Sequence, residues 1–319
     1  MLELISPVAV AFLICMCVGP LAIPALQKLK FGQVVRSEGP KSHLSKTGTP
    51  TMGGMIILLA VVVSALICIP HWDPTMTAGL ICICGFGVIG LLDDGIKVIF
   101  KRNLGLKAWQ KSALQLVMSV AIALYVVQHV GTSILIPFTK LEVDLGWWYF
   151  PILLFILVGT VNAVNLTDGL DGLAAGTSLV YFASFSLILY AVNQAGNENL
   201  ILLSGAVAGA CLGFLRFNVF PARVFMGDTG SLALGGAVAY VAIASKMTLW
   251  LPIMGGVFVA SVLSDIIQVV SYKTRHKRVF KMAPLHHHFE LMGMPETRVV
   301  AMYMIATVAL CMIGMLAVR

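Results

Sequence analysis

A chain of 319 residues in which 59% are hydrophobic and only 11% charged lies far from the usual soluble balance of roughly 45–50% apolar and 25% charged. That excludes an ordinary water-soluble domain, and the useful unit of length becomes the run of about 20 apolar residues that crosses a bilayer. The net charge of +7 is divided among loops between such runs, with no basic domain or stacking platform, so anionic lipids or phosphorylated ligands fit better than nucleic acid.

In chain order, apolar runs predict spans near Leu4 to Leu26, Met52 to Pro70, Met76 to Ile96, Ser112 to Val130 and Trp147 to Val164. Five more follow near Thr177 to Val192, Leu200 to Leu215, Ser231 to Ala244, Leu249 to Tyr272 and Val299 to Val318. The fold class expected is an all-α integral membrane protein of about ten transmembrane helices, a single polytopic domain over residues 1–319. The first run lacks a basic leader and an A-x-A-like cleavage site and is expected to be a retained helix.

Lysine and arginine placement orients the bundle. Eighteen of the 21 basic residues fall in alternate connections: Lys28, Lys30, Arg36, Lys41 and Lys46, then Lys97, Lys101, Arg102, Lys107 and Lys111, then Arg216 and Arg223, then Lys273, Arg275, Lys277, Arg278, Lys281 and Arg298. Lys140, Lys246 and Arg319 remain for the other side. The rich side is expected to be cytoplasmic, with loops near 27–51, 97–111, 164–176, 216–230 and 273–298. An even number of spans then puts both termini outside. All seven cysteines fall inside predicted spans, where cysteine is a small buried hydrophobe, and no disulfide or zinc framework is apparent.

The acidic residues gather on the basic side, apart from Glu3, Asp73, Glu142, Asp144 and Glu198. Asp93 and Asp94 end the third span in GLLDDGIK, and paired carboxylates at a membrane boundary call for compensation by metal, lysine or phosphate chemistry. In Asn162 to Gly172, NAVNLTDGLDG, a helical reading puts Asn165, Asp168 and Asp171 near one face, and Gly169 and Gly172 would admit a ligand close to the backbone. The alternative there is a polar loop with turn glycines. Asp228 follows Asn218 and Phe225 in FNVFPARVFMGDTGS and has the small neighbours of a magnesium-binding carboxylate, or else caps the eighth span. Three consecutive histidines, His286, His287 and His288, cannot share one helix face, so phosphate contact fits better than zinc. His43, Lys46, Thr49 and Thr51 supply donors suited to a diphosphate but lack the P-loop spacing. Asp265 lies within the ninth span as a functional or structural ionisable residue.

KTGTPTMGG, LLDDGIK, NAVNLTDGLDGLA, FNVFPARVFMGDTGSLALGG and PLHHHFELMG, in that order, resemble the polyprenyl-phosphate N-acetylhexosamine-1-phosphate transferases over essentially the whole chain. PLHHHFE is similar to the muramoyl-pentapeptide branch, whereas relatives with N-acetylglucosamine donors carry a different histidine loop. The resemblance implies transfer of a phospho-N-acetylmuramoyl-pentapeptide from UDP-N-acetylmuramoyl-pentapeptide to undecaprenyl phosphate, giving lipid I and UMP, with Mg2+ as cofactor. It implies that Asp93, Asp94 and Asp228 are catalytic, Asp228 being the metal ligand. Lys46, Thr51, Lys111, Asn165, Asp168, Asp171, Asn218 and Phe225 match the nucleotide-sugar pocket, and His286 to His288 match the essential histidine motif. A homodimer and inhibition by nucleoside antibiotics are further family expectations. A sibling transferase using UDP-N-acetylglucosamine is the nearest alternative. A secondary transporter or an intramembrane aspartyl protease would need its carboxylates near the midplane, and here they lie mostly at one face.

Overall fold

The computed structural model describes residues 2–28, 46, 48–100, 104–192 and 196–318, with side chains from residue 5 onward. His43, Lys30, Arg36, Lys41, Lys101, Arg102 and Arg319 lie outside the described residues. The long helices are α1 (Leu2–Lys28), α2 (Gly54–Cys68), α3 (Pro74–Ile99), α4 (Ala108–His129) and α5 (Tyr149–Thr167). They continue with α6 (Leu173–Val192), α7 (Glu198–Asn218), α8 (Gly227–Ala244), a short α9 (Trp250–Met254), α10 (Gly256–Arg275), a short α11 (Leu285–Leu291) and α12 (Glu296–Leu316).

Among the described residues, nine helices are long and apolar enough to cross a membrane. The second expected span, α2, is shorter than these, with 15 residues, about 22 Å at 1.5 Å per residue against a hydrocarbon core of about 30 Å. It nevertheless runs from one end of the bundle to the other. Its first turn is tied to the start of α8, where Gly53 and Gly54 donate to the carbonyls of Phe225 and Met226 at 2.9 Å each. Its last turn leads within a few residues into the opposite end of α3. There Asp73 caps the helix by accepting from the Met76 amide at 2.6 Å, with Pro74 in the first turn.

The ninth expected span, Leu249 to Tyr272, is not continuous. The backbone breaks at Gly255, between α9 and α10, where two adjacent glycines have the least to lose by leaving the helix. A second difference is a two-stranded antiparallel hairpin between α4 and α5, β1 (Ser133–Leu135) with β2 (Glu142–Asp144), Ser133 lying opposite Asp144. Three-residue strands carry too little alternation to show in sequence. The hairpin docks where α8 and α12 end: Leu135 donates to the carbonyl of Lys246, Phe138 to that of Ala317, and Lys246 pairs with Glu142 at 2.8 Å.

Helix α8 is the axis of the bundle. Nearly every residue from Thr229 to Ala244 is buried, as expected of a helix apolar on all faces and surrounded by others. Two glycine contacts bring its N-terminal end very close to its neighbours. Added side-chain carbons at Gly54 and Gly90 would collide with the backbone of Gly230 and of Asp228 respectively, so only glycine permits these crossings. The second crossing sets the first turn of α8 against the last turns of α3. All seven cysteines are free thiols in helices.

Candidate active site

Asp93 and Asp94 sit near the C-terminal end of α3, only 3% and 2% exposed. Asp228 lies in the first turn of α8. A carboxylate oxygen from each of the three falls within 4.8 Å of the others. Lys97, one turn beyond Asp93 on the same helix face, bridges the group: its ammonium lies 2.6 Å from Asp93, 3.4 Å from Asp94 and 3.0 Å from Asp228. Lys111, from the first turn of α4, reaches Asp228 Oδ2 at 2.8 Å. Asn165 on α5 donates to the other oxygen, Oδ1, at 2.9 Å and to the Ser231 hydroxyl at 2.8 Å.

Two backbone groups complete the holding of the pair. The Leu106 amide donates to Asp93 Oδ1 at 2.8 Å, an approach that Gly105 permits because any side chain there would strike the Asp93 carboxylate. Thr229 donates to Asp94 from both its amide and its hydroxyl. Three carboxylates facing two ammonium groups leave the cluster one negative charge in excess. A hard, all-oxygen donor set with that excess fits a magnesium-type cation, which takes carboxylates at about 2.0–2.1 Å and keeps open positions for phosphate oxygens. Beside the cluster, Leu104, Gly105, Leu106, Ile96 and Gln110 line a cleft of about 620 Å³.

A second polar group lies at the same end of the bundle. Lys46 pairs with Asp171 at 2.7 Å and with Glu296, at the start of α12, at 2.6 Å. The same Glu296 oxygen accepts the Asp171 amide at 2.7 Å, and the second Asp171 oxygen accepts the Ala222 amide at 2.9 Å. Asn218 accepts from the Gly172 amide and donates to the carbonyl of Val224. Phe225 donates its amide to the carbonyl of Pro50. Thr51 is buried next to Gly227. These contacts stitch together the connections before α2, after α5 and after α7.

Asp168 lies between the two groups, just past the end of α5. Burial, and then the negative charges of Asp228, Asp94 and Asp171, push its carboxyl up to about 8. The histidines occupy α11. His286 is fully buried with its ring against Gly169 and 4.2 Å from the ring of His287. His287 meets Glu290 at 2.8 Å, and His288 accepts the Lys281 amide at 3.1 Å.

A model of glycosyl transferase family 4 matches residues 76–246. The chain is 51% identical to a phospho-N-acetylmuramoyl-pentapeptide-transferase of Clostridioides difficile (strain 630) over 322 residues, 99% of this chain and 98% of that one. It is 50% identical to that of Thermoanaerobacter sp. (strain X514) over 305 residues, 96% and 95% of the two chains. It is 48% identical to that of Clostridium botulinum (strain Eklund 17B / Type B) over 315 residues, 98% and 96%.

The chain belongs to the phospho-N-acetylmuramoyl-pentapeptide transferase family. It is thus a multi-pass membrane enzyme of the phospho-sugar transferase type.

Within this member of the family, most of the residues singled out in sequence converge at one end of the bundle, though not as a local reading suggests. Asn165, Asp168 and Asp171 do not share a helix face. Helix α5 stops at Thr167 and the chain turns through Gly172, which has a positive φ of 79°, so Asn165 faces Asp228 while Asp171 faces Lys46. A side-chain carbon at Gly169 would strike the His286 ring. Asp228 is not the cap of α8, a position held by Met226; its oxygens are taken by lysine and asparagine side chains. Asp265 is half-buried on α10 and is not one of the three carboxylates that meet at the cluster. Lys97, Thr229, Ser231 and Glu296 were not singled out. For Lys97 the signal was present, since Asp93 and Lys97 are four apart on a helix; for Glu296 no local pattern pointed to Lys46.

Proposed function

We propose that the chain transfers phospho-N-acetylmuramoyl-pentapeptide from UDP-N-acetylmuramoyl-pentapeptide to undecaprenyl phosphate, releasing UMP and forming lipid I in the membrane step of peptidoglycan synthesis. The supporting observation is the cluster of Asp93, Asp94 and Asp228 with Lys97 and Lys111, in a chain about half identical along its length to transferases of that name.

An oxygen of the lipid phosphate attacks the donor phosphorus that bears the sugar. The bond from that phosphorus to the bridging oxygen breaks, and UMP leaves with the bridging oxygen. Both partners are anionic, so positioning and charge compensation supply most of the rate. Lys97 and Lys111 lie where they offset phosphate charge. The Asp93–Asp94 pair positions the acceptor and takes its proton, in one displacement without a phospho-enzyme. Asp228, with the pair beside it, would hold Mg2+, which when bound neutralises the diphosphate and polarises its phosphoryl oxygens. In this reading Lys46, Thr51, Asn165, Asp168, Asp171, Asn218, Phe225 and the α11 histidines serve the uridine, diphosphate and sugar groups. A uridine pocket of this kind accepts nucleoside antibiotics as competitors.

In this reading the site faces the cytoplasm, where basic connections concentrate. With α2 counted as a tenth pass, this reading has both termini outside. A water-soluble donor and a lipid acceptor then meet at the interface.

The test is UMP release by purified, detergent-solubilised protein given both substrates and Mg2+, beside metal-free and Asp228→Ala controls. Release that needs lipid, metal and Asp228 supports the proposal. Activity with UDP-N-acetylglucosamine in place of the muramoyl donor would replace it with the sibling reaction. A phospho-aspartate trapped with donor alone would overturn the single displacement.

A further inference from the structure

Two of the groups that grip Asp228 come from different helices and take different oxygens: Lys111 of α4 on Oδ2 and Asn165 of α5 on Oδ1. One turn deeper, the same two helices are joined by a reciprocal amide pair. Asn162 Nδ2 donates to Gln115 Oε1 at 2.7 Å, and Gln115 Nε2 donates back to Asn162 Oδ1 at 3.4 Å. Asn162 also donates to the carbonyl of Val158 in its own helix at 2.8 Å. Gln115 is 1% exposed.

The spacing is what gives the pair its leverage. Gln115 is four residues after Lys111 and Asn162 three before Asn165, so each amide lies on the same helix face as its active-site neighbour, about one turn or 5.4 Å below it. A carboxamide in hydrocarbon that finds its partner on a facing helix fixes both rotation and height, because any slip leaves donors and acceptors unpaired away from water. A pair set one turn beneath Lys111 and Asn165 therefore fixes the gap into which Asp228 fits.

We propose that Gln115 and Asn162 are positioning residues. They hold Lys111 and Asn165 on opposite oxygens of Asp228 and so orient that carboxylate toward a divalent cation. This rests on the transferase reading above for its catalytic consequence, and on the geometry alone for its effect on metal binding.

The experiment uses the full chain in detergent, with Gln115→Met, Asn162→Leu and the exchanged double variant Gln115→Asn/Asn162→Gln. Mn2+ serves as the spectroscopic probe, its binding read from loss of the free-ion EPR signal; kcat and KM for UMP release and the melting temperature are read beside it. The control is Tyr149→Phe, which removes a buried hydrogen bond of 2.7 Å between Tyr149 and Thr248 at the opposite end of the bundle. Each single variant is expected to weaken Mn2+ binding roughly tenfold, as loss of a partner behind a metal ligand does, and to lower kcat by about the same factor with KM nearly unchanged. The exchanged pair recovers most of both, while Tyr149→Phe lowers the melting temperature alone.

Mn2+ affinity and kcat that stay at wild-type values in folded single variants would sink the proposal. So would an exchanged pair that folds but performs no better than Gln115→Met, and this arm decides the matter should the single variants fail to fold. A wild-type chain that turns over substrate but binds no Mn2+ also overturns it. If the wild type binds Mn2+, the pair variants weaken that binding and no UMP is released by any of them, the positioning role stands and the transferase reading falls.

Discussion

Thr229 donates twice to one oxygen of Asp94, from its amide at 2.9 Å and from its hydroxyl at 2.8 Å. This joins the first turn of α8 to the end of α3 through a single carboxylate, and it leaves the other Asp94 oxygen facing Lys97 at 3.4 Å.

Removing the hydroxyl while keeping the amide tests how much of that hold matters. A hydrogen bond to a charged group contributes about 1.5–3 kcal/mol, so Thr229→Val is expected to lower kcat roughly tenfold or more. Thr229→Ser restores most of it. Rates of UMP release for both variants, beside their melting temperatures, check this; a Val variant as active as wild type would remove Asp94 orientation from the mechanism.

The two glycines of α3 near the carboxylates are expected to behave oppositely. Gly90 has no room for a methyl group against Asp228, whereas a carbon on Gly95 meets nothing within 4 Å. Gly90→Ala separates the helices and is expected to cost about 1–3 kcal/mol of stability together with most of the activity. Gly95→Ala gains about 0.5–1 kcal/mol from helix propensity. Thermal unfolding in detergent reads both, and equal effects at the two positions would contradict the packing described.

Glu296 makes two contacts that substitution can separate. Gln in its place keeps an acceptor for the Asp171 amide but loses the ion pair with Lys46; Ala loses both. Donor KM is expected to rise in the order wild type, Glu296→Gln, Glu296→Ala. The last step spans about 1.5–3 kcal/mol overall, or roughly tenfold and more. A flat series would show that the Lys46 group does not touch donor recognition.

Asp168 predicts a pH effect with a definite sign. Its carboxyl is raised to about 8, so the folded chain holds this proton more tightly than the unfolded chain does. The associated stability is complete below the ordinary carboxylate value of about 3.9 and is lost as pH rises through about 8. In metal-free protein, Asp168→Asn is therefore expected to gain melting temperature relative to wild type between pH 6 and pH 9. A bound divalent cation supplies positive charge nearby and is expected to shrink the difference. Parallel melting curves at every pH would refute the shift.

Much of this arrangement was legible along the chain. The spans follow from runs of apolar residues whose length matches the bilayer, a constraint that acts on each segment separately. The Asp93–Asp94 pair and the five motifs in order mark the family from sequence alone. Lys97 was readable too, since helical spacing alone puts it over Asp93. Other local inferences failed for a common reason. The three polar residues from Asn165 to Asp171 look like one helix face, but α5 ends at Thr167, after Asn165 and before Asp168 and Asp171, and the chain turns through Gly172 with positive φ. The packing of Gly169 against His286, a histidine more than a hundred residues later, likewise has no local signal.

The sequence by itself therefore determined the membrane-spanning class and the family. Tertiary structure alone decided which carboxylate meets which cation: that Lys97 spans three aspartates, that Lys46 answers to Glu296, and that Gln115 and Asn162 meet beneath Asp228. Segment length and helical period are properties of consecutive residues. The meeting of Asp94 with Asp228 depends instead on how closely α3 can approach α8, which is set by the absence of a side chain at Gly90 and by packing against every other helix around them.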